Sequence, residues 1–281
     1  MITLTDIPPD QYIKVGEINT RYWNLGNQGK TIILLHCAGG SVEFWFYNIQ
    51  VLAQHYRVYA IDMVGSGLSD KPSATYSLSY QAEFIKNFMD TLNIKLATLV
   101  GNSMGGAAAI QFSLMFPNKI EKLILIGSFG LGKEINLILR LATLPLALRF
   151  FPANREKIDF LLRKEVYNWK LIPQEWKKIR YPIYSLPHRE KALLQLLRTH
   201  LNLFGVRKAV FSKIVKQLGK ITAPTLIIWG KQDPILPVSH AAVAAESLPD
   251  NRVHIFDNCG HYPHLEFPDK FNSLVLDFLA K

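Results

Sequence analysis

A serine between glycines, an aspartate and a late histidine are the residues of this chain that could carry covalent chemistry. Gly101-Asn102-Ser103-Met104-Gly105-Gly106 has the form G-x-S-x-G and ends an apolar run at 96–101. A serine on a tight strand-to-helix turn has a strained backbone, and side chains two residues away on either side would collide. Glycines at 101 and 105 avoid that collision. The turn would push the Ser103 hydroxyl into the open, with a helix N-terminus behind it that favours developing negative charge. The pentapeptide alone also fits a glycine-rich helix start whose serine is an ordinary N-cap. The strand–turn–helix setting is what favours a nucleophile.

A serine hydroxyl is a poor nucleophile at neutral pH. It needs a general base, and the base needs a third group to fix its tautomer. His261 lies in Phe256-Asp257-Asn258-Cys259-Gly260-His261-Tyr262-Pro263-His264, just past the last strand signal, and His264 competes with it in the same loop. Asp233 lies in Trp229-Gly230-Lys231-Gln232-Asp233-Pro234, directly after the run TLIIW. A turn aspartate before proline is the plainer reading of that residue taken alone. Taken together, Ser103, Asp233 and His261 make a nucleophile, an orienter and a base, each just past a predicted strand. Acyl transfer also needs two preorganised N–H donors, and losing one costs roughly 100- to 1000-fold in rate. Met104, after the nucleophile, would offer one, and Ala38 in His36-Cys37-Ala38-Gly39-Gly40 the other.

The elements that must hold these residues follow from the spacing of apolar side chains. Two short runs, at 12–15 and 19–23, predict a hairpin. Strands are predicted at 31–35, 57–61, 96–101, 120–126, 225–229 and 252–256. Helices are predicted at 44–53, 80–92 (with Ser79 as N-cap), 105–116, 238–247 and 270–279. Strands that alternate with helices imply βαβ units and a mainly parallel sheet buried on both faces. The pattern breaks at Leu131. From there to Lys220 the chain is helical, Leu-rich and basic, with Pro145, Pro152, Pro173, Pro182 and Pro187 as punctuation. The expected organisation is an α/β core at 1–130 and 221–281, with a helical cap at 131–220 inserted after the sixth core strand.

Over nearly its whole length the chain resembles the α/β-hydrolase superfamily. Beyond the three residues above, it carries Asp62-Met63-Val64-Gly65-Ser66-Gly67-Leu68-Ser69, similar to that family's D-x-x-G-x-G-x-S stretch. It also carries W-G-x-x-D-x-x-x-P from Trp229 and C-G-H-x-x-x-x-E-x-P ending at Glu266 and Pro268. The order Ser…Asp…His is the one this fold uses. The resemblance implies a mostly parallel eight-stranded sheet with helices on both faces and a helical cap. It also implies an acyl-enzyme mechanism without a dissociable cofactor. Asn102 and Met104 look like the C–C bond hydrolases that cleave ring-fission products of aromatic degradation. HCAGG departs from the His-Gly and Gly-Pro loop usual there, with Cys37 in a glycine's place, and Tyr262 stands where those enzymes tend to have Trp. Ser103 argues against the dehalogenases and epoxide hydrolases of this fold, which place Asp at the elbow.

The net charge of +10 is unevenly spread. Residues 131–220 hold 19 basic and 6 acidic side chains, a balance of +13, which leaves 13 basic and 16 acidic elsewhere, a balance of −3. A solvated cap surface accounts for that. So would attraction to anionic substrates or to an anionic membrane. Residues 135–151 (INLILRLATLPLALRFF), with Arg140 and Arg149, could line an apolar acyl pocket or lie at a membrane interface. No recognised motif points to nucleic acid. Cys37 and Cys259 form neither a disulfide framework nor a metal spacing, and the first residues do not read as a signal peptide. The expected compartment is the cytoplasm. The leading expectation is a serine esterase acting on a hydrophobic carboxylic ester, with C–C bond hydrolysis by the same residues or a non-enzymatic ligand receptor as alternatives.

Overall fold

The computed structural model describes residues 6–144, 155–186 and 188–281. β1 (Gln11–Val15) and β2 (Ile18–Leu25) pair as the expected hairpin. β3 (Thr31–Leu35), α1 (Phe46–Ala53), β4 (Arg57–Ile61), α2 (Leu78–Thr91), β5 (Ala97–Asn102), α3 (Met104–Met115) and β6 (Ile120–Ile126) then alternate. An insert follows. It contains α4 (Leu137–Leu141), α5 (Arg155–Arg163), α6 (Gln174–Tyr184) and α7 (Arg189–His200). The two-residue strands β7 (Leu201–Asn202) and β8 (Gly205–Val206) and then α8 (Lys208–Val215) complete it. β9 (Thr225–Gly230), α9 (Ser239–Ser247), β10 (Asn251–Phe256), α10 (Pro263–Glu266) and α11 (Pro268–Ala280) end the chain.

The main sheet has eight strands in the order β1-β2-β4-β3-β5-β6-β9-β10. β2 runs antiparallel to both its neighbours, and from β4 to β10 every pairing is parallel. Successive side chains on a strand point to opposite faces. Ile33, Leu35, Leu99, Leu123, Leu125, Ile227 and Trp229 therefore pack on one face, beneath α2 and α3. Ile32, Leu34, Val100, Ile124, Ile126, Leu226 and Ile228 pack on the other, beneath α1 and α11. Both faces are buried, so these strands are continuous apolar runs rather than alternating ones. This is the α/β-hydrolase fold.

Three local expectations need correction. The N-cap of α2 is Ser77, whose hydroxyl accepts the Tyr80 N–H at 3.2 Å, and Ser79 lies inside the helix. A Ser–x–x spacing to the first free N–H satisfies the helix start from position 77, not 79. Pro182 does not separate elements. It sits in the last turn of α6, where its missing N–H costs one intrahelical bond but the helix continues only to Tyr184. The β7–β8 hairpin was not anticipated, because strands of two residues carry no readable period. Pro145, Arg149, Pro152 and Pro187 lie outside the described residues.

Candidate active site

The carboxyl ends of β3, β5, β6 and β9, together with the loop after β10, gather the chemistry on one edge of the sheet. Ser103 stands between β5 and α3 with φ +54° and ψ −115°, a conformation that costs about 1–3 kcal/mol in a residue with a side chain. The turn holds because its bonds are made. The Ser103 N–H donates to the Ile126 carbonyl at 2.9 Å, and the Ser103 carbonyl accepts the Phe129 N–H at 3.0 Å. The flanking glycines are required sterically. A Cβ at Gly101 would lie 2.4 Å from the Gly105 carbonyl oxygen, and one at Gly105 2.3 Å from that of Leu35. Asn102 ties the elbow to the neighbouring loops through bonds from Nδ2 to the Ile126 carbonyl (3.0 Å) and the His261 carbonyl (3.3 Å).

Asp233 follows β9, and its carboxylate is fully buried. Oδ1 accepts the N–H groups of Ile235 (2.8 Å) and Leu236 (3.0 Å), and Oδ2 lies 2.7 Å from His261 Nδ1. With Nδ1 donating to Asp233, Nε2 is left as the basic nitrogen. Burial favours the neutral ring, but the charge and hydrogen bond of Asp233 outweigh it and raise the His261 pKa. His261 and Ser103 line the same cavity, of about 190 Å³. His264, the competing base, is fully buried elsewhere, with its ring centroid 4.6 Å from that of Trp45. Burial pushes its pKa down to about 3. It is an aromatic core residue.

The loop after β3 forms another wall. The Gly40 N–H donates to the Cys37 carbonyl at 3.0 Å, and Ala38 and Cys37 face the cavity. His36 braces this loop: Nε2 accepts the Met63 N–H (3.0 Å), so Nδ1 donates to the Cys37 carbonyl (2.7 Å). Burial lowers the His36 pKa to about 4, in keeping with a neutral ring. Cys37 does not have a positive φ, so a side chain is accommodated there without backbone strain. Burial pushes its thiol up to about 12, so it stays protonated and is a poor nucleophile. Met104, the first residue of α3, has one of the helix's unpaired N–H positions.

Two of the family-like patterns are bracing devices. Asp62 accepts the N–H groups of Val42 (2.8 Å) and Leu68 (2.7 Å), and a Cβ at Gly67 would strike its carboxylate. Glu266 accepts from the N–H groups of Gly260 (3.0 Å) and Tyr262 (3.3 Å), which bracket His261, and from Tyr167 of the insert (2.8 Å). The His261 N–H itself donates to the Glu165 carbonyl of the insert at 2.9 Å.

The insert supplies the roof, and here lie the residues that sequence reasoning missed. Leu139, Leu162, Leu193 and Leu197 make it apolar. Arg180 and Arg189 make it cationic. Arg180 is 3% exposed and lies against three rings, its guanidinium carbon 3.8 Å from the Phe44 centroid and 4.5 Å from those of Trp176 and Tyr184. Arg189 lies 4.1 Å from Tyr184 and donates to the Gly39 carbonyl (3.2 Å). Burial pushes both guanidinium pKa values down to about 10, which leaves them charged at neutral pH. Arg180 Nη1 and Arg189 Nε have no hydrogen-bond partner, and neither arginine forms an ion pair among the described residues. Glu165 also faces the cavity, where its carboxylate accepts the Tyr262 hydroxyl at 2.7 Å. No cluster of metal-ligating side chains occurs among the described residues.

Such a site can activate a hydroxyl, hold an oxyanion and attract an anionic group beside an apolar wall. The profile described as "alpha/beta hydrolase fold" matches residues 30–268. The chain is 31% identical to a 2-hydroxy-6-oxo-6-phenylhexa-2,4-dienoate hydrolase of Burkholderia cepacia, over 100% of this chain and 99% of that one. Among solved structures, a meta-cleavage product hydrolase of Pseudomonas fluorescens superposes with a TM-score of 0.82 at 27% identity, covering 98% of each chain. A putative lipase of Acinetobacter baumannii superposes with a TM-score of 0.84 at 26% identity, covering 97% of this chain and 91% of that one.

Proposed function

This chain belongs to the α/β-hydrolase fold family and is a hydrolase, and we propose that it cleaves the C–C bond beside the ketone of an apolar keto acid. The observation that carries this reading is the pair of guanidiniums in the Ser103 cavity, Arg180 buried and Arg189 part-buried, which form no ion pair among the described residues although Glu165 and Glu190 line the same cavity. Desolvated charge without a counter-ion is costly. A substrate carboxylate relieves that cost, and its bond to a guanidinium is charge-assisted. The relative from Burkholderia cepacia is named for a dienoate, a substrate with such a carboxylate and with a ketone further along an unsaturated chain.

In the proposed reaction, Ser103 Oγ attacks the ketone carbon while His261 Nε2 takes the hydroxyl proton. Asp233 holds the ring and stabilises the imidazolium. The N–H groups of Ala38 and Met104 receive the oxyanion. The form cleaved is the keto tautomer, in which the dienol proton has moved to the carbon beside the ketone. Collapse of the oxyanion then breaks the C–C bond on the carboxylate side, and the electron pair passes into the neighbouring enone. His261 returns a proton to that fragment, and water then hydrolyses the acyl-serine. Arg180 and Arg189 hold the carboxylate throughout and favour the charge that spreads towards it. Residues 131–220 act as a cap that roofs the apolar half of the substrate.

A second reading, hydrolysis of a hydrophobic carboxylic ester, is favoured by the leucine walls of the cavity and by the likeness to the putative lipase. One comparison separates the two. Arg180→Met should raise KM for 2-hydroxy-6-oxo-6-phenylhexa-2,4-dienoate about 10- to 100-fold, the worth of a hydrogen bond to a charged group. It should leave the neutral p-nitrophenyl butyrate nearly unchanged. Equal losses on both substrates, or a wild-type enzyme that prefers the neutral ester, would favour the esterase.

A further inference from the structure

The insert carries an exposed apolar tip that the reaction does not use. Phe204, at the turn between β7 and β8, is 76% exposed. The turn is held firmly. Asn202 Oδ1 accepts the Phe204 N–H at 2.9 Å, and the Val206 N–H donates to the Lys133 carbonyl at 2.9 Å. A side chain at Gly205 would strike that same carbonyl. Beside the tip, α4 presents Leu137 and Leu141, one turn apart on a single face, and Leu144 follows. All three leucines and Leu203 are exposed.

Arginines stitch these pieces together. Arg140 Nε donates to the Leu203 carbonyl (2.7 Å), Arg198 to the carbonyls of Thr143 (3.0 Å) and Leu144 (2.8 Å), and Arg207 Nε to the Arg198 carbonyl (3.2 Å). The acceptors are neutral backbone carbonyls, and none of the three arginines forms an ion pair among the described residues. Exposed Lys133 and Lys208 extend the cationic rim, and Glu134, the acidic residue on this stretch, is bonded to His240 at 3.1 Å.

We propose that this face docks on an anionic phospholipid surface, with Phe204, Leu203 and the α4 leucines entering the headgroup boundary and the arginines meeting phosphates. Exposed apolar side chains set among Lys and Arg are the composition of an interfacial anchor. A second copy of the chain is a poorer occupant, because a symmetric contact would bring the same cations face to face. The opposite face of α4, through Ile138, Leu139 and Ala142, lines the Ser103 cavity. Docking would therefore put the membrane one helix away from that cavity, and an apolar substrate could enter it from the bilayer.

Co-sedimentation of the full chain with vesicles tests this without any substrate, so its failure leaves the hydrolase reading untouched. Binding is expected to vesicles of equal parts phosphatidylcholine and phosphatidylglycerol, but not to phosphatidylcholine alone, and should weaken as salt rises. Phe204→Ser should weaken it about tenfold or more, the effect of removing a buried phenyl ring, and Arg207→Gln about fivefold. An unchanged melting temperature would show that the variants fold, and Leu137→Ser gives an independent reading if Phe204→Ser does not. Absent binding, equal binding to neutral vesicles, indifference to both apolar substitutions, or a dimer that Phe204→Ser dissolves would overturn the proposal.

Discussion

His261 and His264 lie three residues apart after β10, and chain position alone does not separate them. Structure does so through their partners: His261 faces a buried carboxylate at 2.7 Å, whereas His264 is packed among Trp45, Phe44 and Phe271. The pH dependence follows with a definite sign. Asp233 holds the His261 pKa above its ordinary value, so activity should be lost as pH falls through that raised value. In Asp233→Asn the charge is gone and burial remains, so the acid limb should move to lower pH. The rate should also fall roughly 1000- to 10,000-fold, because the tautomer is no longer held. A limb that stays in place in Asp233→Asn would mean that another group sets it. Ser103, Asp233 and Gly105 were legible in the sequence because each carries a local steric or positional signature. Arg180 and Arg189 were not, since a basic residue on an amphipathic helix reads equally as solvated surface. Only the packing of α6 and α7 against the cavity turns these two inward.

At the level of elements, the continuous apolar strands were readable because burial on both faces removes any need for polar alternation. The limits of α2 show where such reading stops. Ser77 and Ser79 are both acceptable caps by residue type, and the choice depends on which hydroxyl meets a free N–H. Ser77→Ala should therefore destabilise the fold by about 1 kcal/mol, read as a lower melting temperature, while Ser79→Ala should leave it nearly unchanged. The reverse order would restore the sequence-based cap. The patterns after β4 and β10 were visible as strings of letters. Their reason is structural: Asp62 and Glu266 each collect backbone N–H groups, Asp62 those of Val42 and Leu68 and Glu266 those on either side of His261.

For the whole molecule, the distribution of charge was legible and its use was not. Of the basic residues in 131–220, Arg180 and Arg189 face the cavity and others form a cationic rim around Phe204, while more, such as Lys170 and Lys178, are exposed elsewhere. A count of charges cannot tell these apart, although one would select a substrate and the other a surface. No helix among the described residues is long and apolar enough to cross a membrane. The central claim is that Ser103, beneath this cationic roof, hydrolyses an anionic keto acid. The most direct measurement follows the coloured 2-hydroxy-6-oxo-6-phenylhexa-2,4-dienoate with wild-type protein and with Ser103→Ala. The account predicts loss of the colour with turnover in the wild type, and binding without turnover in the variant. An intact wild type that leaves the colour unchanged, or a Ser103→Ala protein that still bleaches it, would contradict the account.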